Sequence, residues 1–213
     1  MKISQLIIAA AVTAVFASTG MAQSSSVTLK NANQSQKGGL GNTQKANIGD
    51  VKGKGSSKVT VDGLKQSQKG GLGNTQKVSI GNVDGKGKSN VTAKDIGQSQ
   101  KGGLGNTQAL KIGDVKGKGS SKVNATNIKQ SQKGGLGNTQ KIAIGNVDGK
   151  GKSNVTAKNI KQSQKGGLGN TQKIELGNVK GKGKSNVVAK NVSQSQKGGL
   201  GNTQKMSAGN IKN

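Results

Sequence analysis

The chain has 213 residues, a formal net charge of +27 from 34 lysines against seven acids, no Cys, His, Pro, Trp or Tyr, and a single Phe. Zinc sites need Cys or His, and the common nucleophile and base constellations need Cys, His or paired acids in a pocket. No metal site, cofactor site or catalytic site is therefore expected, and the chain does not read as an enzyme. Calcium solenoids need a regular Asp ladder, whereas Asp50, Asp62, Asp84, Asp95, Asp114, Asp148 and Glu175 are scattered and outnumbered.

Residues 1–22 read as a secretory signal peptide. Met1-Lys2 gives a positive start, Leu6 to Ala17 is apolar, and Gly20-Met21-Ala22 offers small residues for cleavage before Gln23. A membrane anchor is the weaker reading, because the run falls short of the ~20 residues that a span needs. Cleavage would remove Lys2 and Phe16, leaving a chain without aromatics and with a charge of 27 − 1 = +26.

Residues 23–213 repeat. QSQKGGLGNTQ begins at Gln34, Gln66, Gln98, Gln130, Gln162 and Gln194, each 32 residues after the last. A strict period of this length marks a stack of small units, none of which can bury its apolar face alone. With coils starting at 27, 59, 91, 123, 155 and 187, six columns stay apolar in every copy: those that begin at Val27, Leu29, Ala32, Ala46, Ile48 and Val51. So many unbroken apolar positions argue against a disordered Gly-rich polymer.

Four polar columns do not vary at all. They are Gln34, Gln66, Gln98, Gln130, Gln162 and Gln194; Gln36, Gln68, Gln100, Gln132, Gln164 and Gln196; Asn42, Asn74, Asn106, Asn138, Asn170 and Asn202; and Gln44, Gln76, Gln108, Gln140, Gln172 and Gln204. Positions 32, 34, 36 and 42, 44, 46, 48 alternate with period two, which predicts two strands per coil with these residues inward. Folding about Gly39 sets Gln36 against Asn42, Gln34 against Gln44, Ala32 against Ala46, Leu29 against Ile48 and Val27 against Val51. The parity slip from 29 to 32 recurs from 48 to 51, which predicts a matched pair of bulges. Leu40 is expected to plug the arch tip, and Lys52 to Lys58 to form the return.

The expected fold is an all-β solenoid of six strand-turn-strand β-arch coils, parallel and in register, ~4.8 Å apart and so ~29 Å high. In register, each buried amide could donate to one neighbouring copy and accept from the other, and the four polar columns are expected to form such ladders. No capping segment is evident at either end of the repeats, so further copies are expected to add there.

Ile96-x-Gln98-x-Gln100-x-Gly102-x-x-x-Asn106-x-Gln108 resembles the repeat of the curlin family, the major subunits of the bacterial functional amyloid curli. The likeness recurs in all six units. It implies a secreted subunit of an extracellular amyloid fibre at the surface of a Gram-negative cell, active in biofilm matrix and adhesion, with a nucleator subunit and an outer-membrane secretion channel as partners. The alternative is a discrete monomeric β-solenoid that binds a polyanion or a cell surface.

Lys37, Lys69, Lys101, Lys133, Lys165 and Lys197 form an unbroken outward column, and Lys45 and Lys54 head two more. A charge of this density, roughly one per ~1.1 Å of stack against one per ~1.7 Å for duplex DNA, should gather anions. Extracellular DNA, acidic polysaccharide and lipopolysaccharide are the expected classes, bound without sequence preference because arginine and aromatic platforms are missing. The competing reading is that lysine only keeps the subunit soluble. Position 52 alternates as Lys52, Asp84, Lys116, Asp148 and Lys180, which predicts charge pairs between adjacent coils.

Overall fold

A computed structural model describes residues 24–38, 40–41 and 43–212, apart from the side chains of Ser25 and Gln36. The signal peptide read at residues 1–22, and Gly39 and Asn42 of the first arch, lie outside the described residues.

Alternation of Val, Ile, Ala and Gln with Lys, Ser, Thr and Asn makes each coil a set of strands with one dry face. In the second coil these are Ser56–Asp62, Lys65–Lys69, Thr75–Ile80 and Val83–Gly85. Every strand pairs in parallel with the residue 32 positions on: Val59 with Val91, Gln66 with Gln98, Val78 with Leu110, Val83 with Val115. The protein is an all-β, in-register β-solenoid of six coils. From the fourth coil on, the first two strands fuse into single strands, Ser120–Lys133, Lys152–Lys165 and Lys184–Lys197.

Three sheets result. A long sheet is built from residues 24–37 and their equivalents, a six-stranded sheet from residues 43–48, and a narrow six-stranded sheet from residues 51–53. The main core lies between the first two, where the columns at Val27, Leu29 and Ala32 meet those at Ala46 and Ile48. Its middle is dry: Val91, Ala93, Leu110, Ile112, Ile128 and Ile142 are wholly buried.

The Val51 column departs from the expected pairing. Val51, Val83, Val115, Val147 and Val179 form a second apolar cluster of their own. The column that faces Val27 is instead Gly49. A Cβ on Gly81 or Gly113 would collide with the methyls of Val91 or Val123, so glycine makes room for the valine stack. These glycines also hold φ between 56° and 65°, the left-handed region that L side chains avoid. The chain turns a corner there, and Val51 emerges on the far side, under the return, where a Cβ on Gly87 would collide with it.

The two parity slips are therefore unlike each other. Position 31 is also left-handed, occupied by Asn31, Gly63, Asp95, Asn127, Asn159 and Asn191, but the long sheet runs on past it. At position 49 the sheet ends and a new one begins. The return is shorter than expected, because strands Val51–Gly53 and Ser56–Asp62 leave only residues 54–55 between them.

Leu40 does not plug the arch. It and its equivalents point outward, from 44% exposed at Leu72 to 76% at Leu40. Positive φ at Gly70, Gly71 and Gly73, on both sides of Leu72, shapes a turn that throws the leucine to solvent.

Candidate functional site

Two of the polar columns form continuous side-chain ladders. In the first, Nε2 of Gln66 donates to Oε1 of Gln34 at 2.6 Å, and the same link runs through Gln98, Gln130, Gln162 and Gln194 at 2.6–2.8 Å. Each of these amides also reaches across the arch to a backbone carbonyl of the facing strand, as Gln130 does to Lys141 O at 3.0 Å. In the second, Gln76, Gln108, Gln140, Gln172 and Gln204 each donate to the copy before, beginning at Gln44, at 2.8–2.9 Å. Turning Gln76 alone would set its oxygen against Oε1 of Gln44 and its nitrogen against Nε2 of Gln108, so the run holds only if every member points the same way.

The Asn42 column bonds differently. Backbone N of Asn106 donates to Oδ1 of Asn138 at 3.1 Å, while Nδ2 of Asn106 donates to Gly102 O at 3.2 Å and ties down its own arch tip. The links from Asn138 to Asn170 and from Asn170 to Asn202 repeat this pattern.

The Gln36 column overturns the expectation of a fourth ladder. Gln68, Gln100, Gln132 and Gln164 stack in register and are 2–3% exposed, yet both ends of each amide lack a hydrogen-bond partner, as does Nε2 of Gln196. Such groups cost free energy in the folded state.

Two further ladders lie outside the four invariant polar columns. At position 31, Nδ2 of Asn127 donates to Oδ1 of Asp95, Asn159 to Asn127 and Asn191 to Asn159, at 2.8–3.0 Å. At position 50, just past the corner, Oδ1 of Asp50 accepts from backbone N of Asn82, and Asn82, Asp114, Asn146 and Asn178 repeat the link at 2.8–3.1 Å. The signal was present: both positions carry only Asn, Asp or Gly, the residues that tolerate left-handed backbone or bond locally to it.

Position 50 forms the floor of an open groove of about 740 Å³ along the outside of the corner, with Lys77, Lys111 and Lys141 on one wall and the position-52 column on the other. Burial pushes the Asp114 carboxyl up to about 6, against the pull of the Asn146 backbone N–H and of Lys111 and Lys141. Glu175 behaves in the opposite way. Burial alone would raise it, but hydrogen bonds from Lys173 at 2.6 Å and Lys141 at 3.1 Å hold it below the ordinary range.

The lysine column at Lys37 is exposed throughout and aligned in register, from Lys37 with Lys69 to Lys165 with Lys197. Among the described residues the ion pairs involve only Lys94, Lys141 and Lys173, so none reaches this column. The expected pairs at position 52 do not close. Asp84 lies in register between Lys52 and Lys116, and Asp148 between Lys116 and Lys180, without an ion pair at either. Their side chains stand in solvent, where little holds two flexible groups together.

Compared with known proteins, the chain matches no family model, no curated protein and no solved structure.

Proposed function

We propose that the protein is a secreted structural subunit that stacks end to end into a curli-like extracellular fibre, with scaffold and adhesive roles and a polycationic surface that collects polyanions. The observation that carries this reading is the sameness of the junctions. The outer faces of the first and sixth coils present the columns that already join each coil to the next; Val27, Leu29 and Ala46 are half-buried at the first, and side chains buried inside the stack are open at the sixth. Ile142 and Ile174 are wholly buried, whereas Met206 in the same column is 45% exposed; Val179 is 3% exposed and Ile211 is 68% exposed. Docking Val27 of one copy over Val187 of another would repeat an internal junction and cover that surface, with parallel strand pairing as the bond.

Such a junction also brings Lys30 to Lys190 and Lys52 to Lys212. The internal pairs Lys158 with Lys190 and Lys180 with Lys212 already set like charges together in register. Growth should therefore quicken as salt or a polyanion screens the lysines.

The chain diluted from denaturant into buffered salt should form unbranched fibres with a ~4.8 Å meridional spacing by electron microscopy and fibre diffraction. Monodisperse particles that persist at high concentration would replace this reading with that of a discrete solenoid. For the polyanion role, duplex DNA should be retained at low salt and released steeply between 50 and 200 mM. Lack of retention at low salt would reduce the lysines to a device for solubility.

A further inference from the structure

The arch-tip edge carries an apolar stripe that neither stacking nor polyanion binding uses. Leu40, Leu72, Leu104, Leu136, Leu168 and Leu200 form a straight exposed stripe, joined by parallel bridges between successive leucines. Backbone bonds hold it in place: Gly73 N donates to Leu104 O, Gly105 N to Leu136 O and Gly137 N to Leu168 O, each at 2.8 Å. The stripe is thus a fixed apolar ridge about 4.8 Å per step, and contiguous exposed apolar surface on ordered backbone marks an interaction face.

Charge selects the occupant. The ridge is flanked by the exposed Lys37 column, three residues before each leucine, whereas on the other strand Lys141 and Lys173 of the Lys45 column turn to Glu175 at the corner groove. All seven acids occupy positions 30, 31, 47, 50 or 52 of the repeat, and none falls between positions 33 and 46 in any coil. The tip edge formed by the Lys37 and Leu40 columns is apolar and cationic, with no carboxylate in it. A second copy pressed ridge to ridge would bring lysine columns together with no acid to pair them. A neutral apolar surface would desolvate the ammonium groups for no return. An anionic lipid layer satisfies both features, because leucine enters the acyl boundary while lysine stems extend outward and set their ammonium groups among the head groups.

We propose that the arch-tip edge docks the stack onto an anionic lipid surface, with the leucine ridge inserted and the flanking lysines on the head groups. One stack or many present the same edge, so the proposal does not rest on polymerisation. It differs from polyanion binding in needing the leucines.

The chain has no Trp or Tyr, so Leu104→Trp introduces a sole fluorescent reporter on the ridge, and Lys86→Trp, on the exposed return, is its control. With vesicles of phosphatidylcholine and one-third phosphatidylglycerol, emission from Leu104→Trp should move to shorter wavelength and be quenched by acyl-chain bromination, while Lys86→Trp should respond to neither. Pure phosphatidylcholine vesicles should leave both unchanged. Equal responses from the two variants, or none from Leu104→Trp, would overturn the proposal, as would a short-wavelength emission from Leu104→Trp before vesicles are added, the sign of copies pairing ridge to ridge. Replacing all six ridge leucines by Ser, at positions outside the core, should weaken vesicle binding by about tenfold or more and leave DNA retention intact. Undiminished vesicle binding would mean that charge alone is responsible. Fibre formation and DNA retention are read separately, so their failure would leave this result interpretable.

Discussion

The columns at Gln44 and Gln36 hold the same residue in all six coils, each turned inward from one of the two facing sheets and buried in the middle of the stack, yet one is a ladder and the other is not. Gln108 donates to Gln76 and accepts from Gln140, while the side-chain amide of Gln100, 3% exposed, bonds to nothing. Identity and register are thus insufficient. A ladder also needs side chains that lie along the axis, and it is helped by an acceptor across the arch such as the carbonyl that each Gln34-column amide finds. Toward the tip that help is gone, since the Asn42 column spends its groups on the arch turn and the neighbouring backbone.

The contrast breaks or holds on substitution by methionine, which keeps the shape of glutamine and removes its amide. Gln108→Met should strand Gln76 Oε1 and Gln140 Nε2 and destabilise the stack by ~2–4 kcal/mol in denaturant unfolding. A loss no larger than that from the same change at Gln100 would erase the distinction.

Asp114 carries the comparison to an ionisable ladder member. Its carboxyl is raised from 3.8 to about 6 by burial, so the folded state holds the proton more tightly than the unfolded one. Its contribution to stability should therefore be full below pH 4, fall as pH rises to 6, and stay level above, while Glu175, held below the ordinary range, contributes in the opposite sense at low pH. Asp114→Asn, the residue already at 82, 146 and 178 of this column, should flatten that slope and add ~2–3 kcal/mol at pH 7. An unchanged pH profile would show that another group sets it.

Gln100→Met should be neutral or stabilising by ~1 kcal/mol, since it deletes a buried amide that has no partner to lose. The smallest effect is expected at Asp84→Asn, below ~0.5 kcal/mol, because its register with Lys52 and Lys116 produces no ion pair. A clear loss there would mean that solvated charges set register more strongly than buried amides do.

Periodicity made the coil, its register and five of its six apolar columns legible, because an unbroken column of Val, Ile or Ala has to stack. It could not say on which side of a corner a residue emerges. Val51 obeys the same pattern as Ile48, and only the left-handed Gly49 between them separates the two cores. Leu40 misled for the same reason: hydrophobicity argued for burial, and the glycines around it set the direction. The ladders at positions 31 and 50 were obscured by mixed Asn, Asp and Gly, and the groove follows from the corner that the pattern did not mark.

One further property follows from the way both glutamine ladders run. Every Nε2 points to the preceding coil and every Oε1 to the following one, and all strands share one direction, so the axis has a sense like that of an arrow. One end offers amide hydrogens at Gln34 and Gln44 and the other offers oxygens at Gln194 and Gln204. Head-to-head joining sets donor against donor, and only head-to-tail joining continues the run. A filament built this way has two chemically distinct tips, and labelled subunits added to a preformed seed should extend its tips at unequal rates.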